Sequence, residues 1–335
     1  MKRKGSDVGG VRVEAELRKL RRELARVTRQ SEILRASVGK NLGSVKDRYK
    51  QIEGLDGVYS VTELCKVLEV SRSGYYQWRD RRPSQRAVED QVLLAEIKKI
   101  FWKHRGFYGS PRVTAALRRL GFHCNHKRVE RLMREHQLQG RSRRRTRPQT
   151  TNSQHGGPIA PFLLEGGRRP TAVDQIWVTD ITYLPTRDGW AYLAAVMDLF
   201  SRRILGWSVK GTLGAGLPLE ALEQAMARRG EVSGVIHHSD RGCQYASRRY
   251  REALDQREFC RSMCRQGIGC DNGAMESFWS TMKAEMRLEG GIRGRFELGL
   301  IVYEYIEVYY NEERAHSALG FRSPMEFEVG RGFSN

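Results

Sequence analysis

Residues 175–210 read QIWVTDITYLPTRDGWAYLAAVMDLFSRRILGWSVK. They divide into three runs rich in β-branched and aromatic residues, QIWVTDITYLP, WAYLAAVMDLF and RRILGWSVK, and the spacing predicts three successive strands. The rhythm then changes. PLEALEQAMARRG reads as a helix, GVIHHS as a fourth strand, SRRYREALDQRE as a helix and FCRSM as a fifth strand. NGAMESFWSTMKAEMRLEG and ELGLIVYEYIEVYYNEERAH read as two further helices. Strands in a row followed by alternating strands and helices describe a mixed α/β domain.

Asp180 fits this pattern badly. It lies inside the first strand among Trp177, Val178, Ile181 and Tyr183, where aspartate is depleted and a lone buried carboxylate is costly. Asp240 ends the fourth strand, and Glu276 opens the penultimate helix. Singly, Glu276 reads as an acid favoured by the helix dipole and Asp240 as a turn former in SDRG. The element order, however, is that of the ribonuclease-H-like fold, in which the first and fourth strands are neighbours and a helix can bring its acid to their edge. Carboxylates gathered in this way repel unless cations neutralise them. Their hard oxygens select Mg²⁺ or Mn²⁺, and two such ions serve phosphoryl chemistry. Between Asp240 and Glu276 lie 35 residues. Lys283 follows Glu276 by two helical turns on the same face, where it can grip a phosphate. Glu285, nine residues beyond Glu276, is turned about 180° from it and is expected to be dispensable.

Charge divides the 335-residue chain. Residues 1–150 hold 37 Lys and Arg against 16 Asp and Glu, whereas the remainder holds 22 against 23. A basic half joined to a neutral one points to a polyanion, with nucleic acid first. An anionic membrane is the weaker reading, because no apolar stretch approaches the ~20 residues of a spanning helix. The six cysteines are scattered and do not form a disulfide framework. Cys260, Cys264 and Cys270 with His237 and His238 match no common zinc spacing.

The basic half has its own organisation. Val13, Leu17, Leu20, Leu24, Val27, Leu34 and Val38 follow a heptad broken at Ser31, which predicts a coiled coil and at least a homodimer. VYSVTELCKVLEVSRSGYYQWRDRRP reads as a helix-turn-helix-like unit, with Arg72, Ser73, Tyr75 and Tyr76 free to reach DNA. A helix over about 84–104 leads to YGSPRVTAALRRLGFHCNHKRVERLMREHQL, a second helix pair made basic by Arg112, Lys127, Arg128, Arg131 and their neighbours. Arg143, Arg144 and Arg145 lie in a Gly/Pro/Ser/Thr-rich basic linker suited to phosphates. The expected division is a disordered tail over 1–12, a coiled coil over 13–45, DNA-binding units over 56–82 and 84–140, and a linker over 141–172. A catalytic core over 173–290 and a C-terminal helical part over 291–335 complete it.

The stretches WVTDITYLPTRDGWAYLAAVMDLFSRRILGWSV, HHSDRGCQYAS, SMCRQGIGCDNGAMESFWSTMKAE and YIEVYYNEERAHSALGFRSPMEF closely resemble the Asp-Asp-(35)-Glu superfamily of transposases and retroviral integrases. More narrowly, they resemble the IS-three family of bacterial insertion-sequence transposases, and the upstream helix pairs resemble that family's helix-turn-helix units. The resemblance covers roughly residues 58–329. It implies an α/β ribonuclease-H-like core preceded by a coiled coil and DNA-binding helices, with Asp180, Asp240 and Glu276 as a metal triad. It implies cutting at the element's terminal inverted repeats and joining of a freed 3′-hydroxyl to target DNA, in the bacterial cytoplasm at the nucleoid. Such transposases usually carry a further helix-turn-helix before the zipper. Twelve residues leave no room for one, so the chain reads as a shortened form. A nuclease of the same fold and a non-catalytic DNA-binding regulator are the competing readings.

Overall fold

The computed structural model describes residues 8–38, 40, 42–141, 157–265, 271–286 and 294–332. Two compact units meet in sequence between Glu89 and Asp90. The first contains α1 (Val8–Ala36), α2 (Val45–Leu55), α3 (Val61–Val67) and α4 (Arg72–Arg79). Helix α1 begins inside the stretch expected to be a disordered tail, since a nucleated helix extends at little cost. It ends well before residue 45, where the Ser44 hydroxyl accepts the Asp47 N–H and caps a new helix. Ser60 and Ser71 cap α3 and α4 in the same way.

A small core of Ile33, Ile52, Leu64, Cys65, Leu68 and Tyr75 holds these helices together. Tyr75 is therefore no DNA contact. It is fully buried, packed among the rings of Tyr49, Tyr76 and Trp78, because it occupies the inward face of α4. Leu17, Leu20, Leu24, Val27 and Leu34 stay exposed along α1, and Ile33, outside the heptad seam, is the residue that packs.

Helix α5 (Gln85–Lys103) runs into the second unit, followed by α6 (Ser110–Arg119) and α7 (His126–Glu135). Their shared core includes Ala315 from the far end of the chain. His104 stacks on Tyr108 at 3.7 Å, and the Tyr108 hydroxyl accepts the Ala315 N–H at 2.8 Å. The Arg119 guanidinium donates to the Phe321 carbonyl and pairs with Glu326. The second helix pair is thus built into the same unit as the sheet. The described end of the expected linker is also tied down. The Pro161 carbonyl accepts from Met263 N, and Leu163 and Leu164 pack on the core because they are apolar.

The sheet has the order β3-β2-β1-β4-β5, with β1 Ile176–Thr186, β2 Gly189–Asp198, β3 Ile204–Lys210, β4 Ile236–Ser239 and β5 Cys260–Met263. The first three strands are antiparallel, whereas β4 and β5 run parallel to β1. Helices cover both faces, so the strands read as nearly continuous apolar runs. Trp177, Ala194, Val196 and Leu205 face α8 (Gly216–Arg229) and α9 (Arg248–Asp255). Ile176, Val178, Ala195 and Met197 face α10 (Gly273–Glu285) and α11 (Arg295–Tyr303). At Gly206 a β-carbon would sit 2.0 Å from the Ala221 carbonyl, so glycine permits the close crossing of α8 over β3.

The last long helix departs from expectation. After α11 the chain widens into a π-helix over Glu304–Glu313. The i,i+5 register lets Tyr305, Ile306, Tyr309, Tyr310 and Asn311 all turn inward. Asn311 then bonds both N–H and C=O of Ile204, which satisfies part of the edge strand β3. Helix α12 (Pro324–Val329) opens on a Ser323/Glu326 capping box and is locked by buried Glu328 to Arg203 and Arg229.

Candidate active site

The parallel pairing of β1 with β4 sets Trp177 opposite His237 and Val178 opposite His238. The same offset places Asp180 level with Asp240 just past the end of β4. Asp180 points to the face covered by α10. Its Oδ2 accepts the indole N–H of Trp279 at 3.0 Å, and its Oδ1 accepts the Ile181 N–H at 2.9 Å. Asn272, at the start of α10, donates its side-chain amide to the Thr179 carbonyl at 2.9 Å. Helix α10 is thereby tied to β1 at two points, and its first turn carries Glu276.

Asp180 feels the charge of both other acids. Burial, then the Asp240 carboxylate, push Asp180 up to about 7, and Glu276 adds to the rise. The N–H donors of Ile181 and Trp279 oppose it. Burial raises the Tyr245 hydroxyl well above its ordinary value, with Asp240 adding its field. Burial lowers the half-buried Lys283 ammonium, and Asp180 opposes that, so the lysine also feels the site. Glu276 is exposed and Asp240 half-buried, with Asp240 Oδ1 accepting the Gly242 N–H at 2.9 Å. Among the described residues, no group of three or more His, Cys, Asp or Glu side chains is placed to hold a metal ion.

Family models match in two places. An HTH-like domain covers residues 87–146, and integrase core domains cover 170–268 and 261–324. The insertion element IS600 31 kDa protein of Shigella sonnei is 40% identical over 79% of this chain and 97% of its own length. The chain belongs to the IS-three family of insertion-sequence transposases. The transposase is also similar to that of insertion sequence IS904 from Lactococcus lactis, at 38% identity over 74% of this chain and 98% of the relative. Transposase InsF of insertion sequence IS3A from Escherichia coli is 37% identical over 84% and 98% respectively. A solved HTLV-2 integrase catalytic core in complex with magnesium aligns with 48% of the chain and 99% of its own length, with a TM-score of 0.38 and 15% identity.

The transposase does not leave all its expected DNA contacts available. Arg128 and Arg131 each bond Asp90 at 2.6 Å, and Arg131 also pairs with Glu135. Arg112 donates to the Ala315 carbonyl at 3.1 Å and lies over the Tyr108 ring. These arginines face inward partners that the sequence pattern did not reveal. Lys127, Arg72 and Ser73 are exposed, with Arg72 donating weakly to Thr62 and Ser73 sharing a hydrogen bond with Ser71. Arg143, Arg144 and Arg145 lie outside the described residues.

Glu285 departs from its expected dispensability. It is turned away from the acidic edge but is only 3% exposed. Arg314 grips both its oxygens at 2.8–3.1 Å, and the Tyr305 hydroxyl donates to it at 2.8 Å. Trp279 and Asn272 escaped the sequence reading, although both stand in the same DNGAMESFW stretch as Glu276. No helix among the described residues is long and apolar enough to cross a membrane.

Proposed function

We propose that the chain cuts DNA at the terminal repeats of its element and joins the freed 3′-hydroxyl to target DNA, with Asp180, Asp240 and Glu276 as its metal ligands. The observation that carries this reading is geometric: the β1–β4 pairing sets Asp180 level with Asp240, and the bonds of Asn272 and Trp279 to β1 bring the first turn of α10, with Glu276, to the same place. The donor set suits Mg²⁺ or Mn²⁺, because three carboxylates offer hard oxygen ligands. Two ions bound there would activate the attacking oxygen and stabilise the leaving one at phosphorus.

Within this reading the protein's own groups have separate tasks. Lys283 holds a phosphate beside the scissile bond, on the face of α10 that carries Glu276. Lys127, Arg72 and the arginines at 143–145 hold the DNA backbone, and sequence-independent contacts of this kind weaken with salt. The exposed stripe of Leu17, Leu20, Leu24, Val27 and Leu34 pairs with a second copy through α1. Changing Leu20 and Leu24 together to glutamate should shift the mass in solution towards monomer.

The test of the chemistry uses Asp180→Asn and Asp240→Asn on DNA bearing the element's end, with Mg²⁺ titrated. Both variants should bind that DNA as the parent does and lose cutting by orders of magnitude at every Mg²⁺ concentration. Wild-type cutting by either variant would remove that residue from the site. Cutting without joining would leave a nuclease in place of a transposase.

A further inference from the structure

An acid that must accept a metal ion has to be oriented without being neutralised. Arg314 shows the opposite arrangement at Glu285, where a guanidinium supplies both the hydrogen bonds and the counter-charge. At Asp180 the side-chain donor is the Trp279 indole, which carries one N–H, no acceptor and no charge. We propose that Trp279 is a positioning residue that orients the Asp180 carboxylate for metal binding through its indole N–H. This rests on the reading of Asp180 as a metal ligand.

Three observations carry the inference. The bond is well formed at 3.0 Å, and the ring that makes it is only 6% exposed, packed against Phe278 at 4.7 Å. Its direction is therefore held by packing. Trp279 follows Glu276 by three residues, so the two are neighbours on the surface of α10. The bond to Asp180 and the Asn272 bond to the Thr179 carbonyl together register the helix of the third acid against the strand of the first. Finally, a carboxylate offers about four lone-pair directions. Ile181 N–H takes one on Oδ1 and Trp279 takes one on Oδ2, which leaves one on each oxygen. Groups around a ligand that orient it in this way typically change metal affinity 10–100-fold when removed.

The bland alternative is that Trp279 only fills the core. Trp279→Phe keeps an aromatic ring and removes the N–H. Trp279→His restores an N–H at the position of the indole nitrogen on a smaller ring. Mn²⁺ binding to the full chain without DNA is measured by calorimetry, and melting is measured in EDTA. Trp279→Phe should weaken Mn²⁺ at least about tenfold, and Trp279→His should recover most of that loss, with similar melting for both variants. Asp180→Asn is the control and should lose the Mn²⁺ signal.

Wild-type affinity in Trp279→Phe, or equal losses in Phe and His, would overturn the proposal, because the N–H would then be irrelevant. Wild-type affinity in Asp180→Asn would instead overturn the reading of Asp180 on which it rests. Should Trp279→Phe fail to fold, Trp279→Met replaces it as the donor-free variant, and the same comparison with His decides.

Discussion

Helix α10 carries one glutamate near each end, and the two could hardly be placed more differently. Glu285 is buried, clamped by Arg314 and held by the Tyr305 hydroxyl. Glu276, nine residues earlier, is exposed, and its carboxylate makes no hydrogen bond or ion pair with any described residue. It adds its field to a carboxylate already raised by another. The protein supplies a counter-charge to the first acid and withholds one from the second. An acid paired within the chain serves the fold, and acids left crowded together are available for a cation from outside. The same division separates Arg128 and Arg131, committed to Asp90, from exposed Lys127.

Stability gives the largest contrast. Glu285→Ala strands a buried guanidinium and should cost about 3–5 kcal/mol, as breaking a buried pair does. Glu276→Ala should change stability by no more than about 0.5 kcal/mol. Denaturant unfolding of both variants checks this, and similar losses would erase the distinction.

A pH profile sharpens it. The metal-free fold holds Asp180 at about 7 against an ordinary 3.8. Its contribution to stability is therefore complete below about 4 and is lost as pH rises through about 7. Burial drives His104 and His238 down to about 4 and His237 to about 3 from an ordinary 6.5. Their contribution is complete above about 6.5 and is lost as pH falls towards 4. Burial also raises Asp198 to about 6, so melting in EDTA should weaken on both sides, and Asp180→Asn should shrink the alkaline loss to the part that Asp198 contributes. An unchanged alkaline limb would mean that Asp180 is not under pressure.

The smallest effect concerns DNA. Lys127→Ala should lower the salt dependence of binding by about one unit of slope, as for one lost phosphate contact. Arg128→Ala should leave the slope alone and reduce stability, since its partner is Asp90. Binding at several salt concentrations separates the two.

Much of the core was legible because strands covered on both faces give long apolar runs that are hard to mistake, as in Ile176–Thr186 and Gly189–Asp198. Asp180 stood out because it contradicts the strand that holds it. What was not legible depends on partners distant in sequence. Tyr75 looks like a surface tyrosine until α2 and α3 cover it, and Glu285 looks idle until Arg314 arrives from 29 residues away. The π-helix was hidden for a similar reason, because its register is set by packing on β3 and not by local propensity.

The most direct test of the account compares Glu276→Gln with Glu223→Gln, an exposed acid on α8. Each is assayed for binding and for Mg²⁺-dependent cutting and joining of one DNA that carries the element's end. Both variants should bind as the parent does and Glu223→Gln should cut as the parent does, whereas Glu276→Gln should cut and join slower by orders of magnitude. Parental cutting by Glu276→Gln would contradict the account.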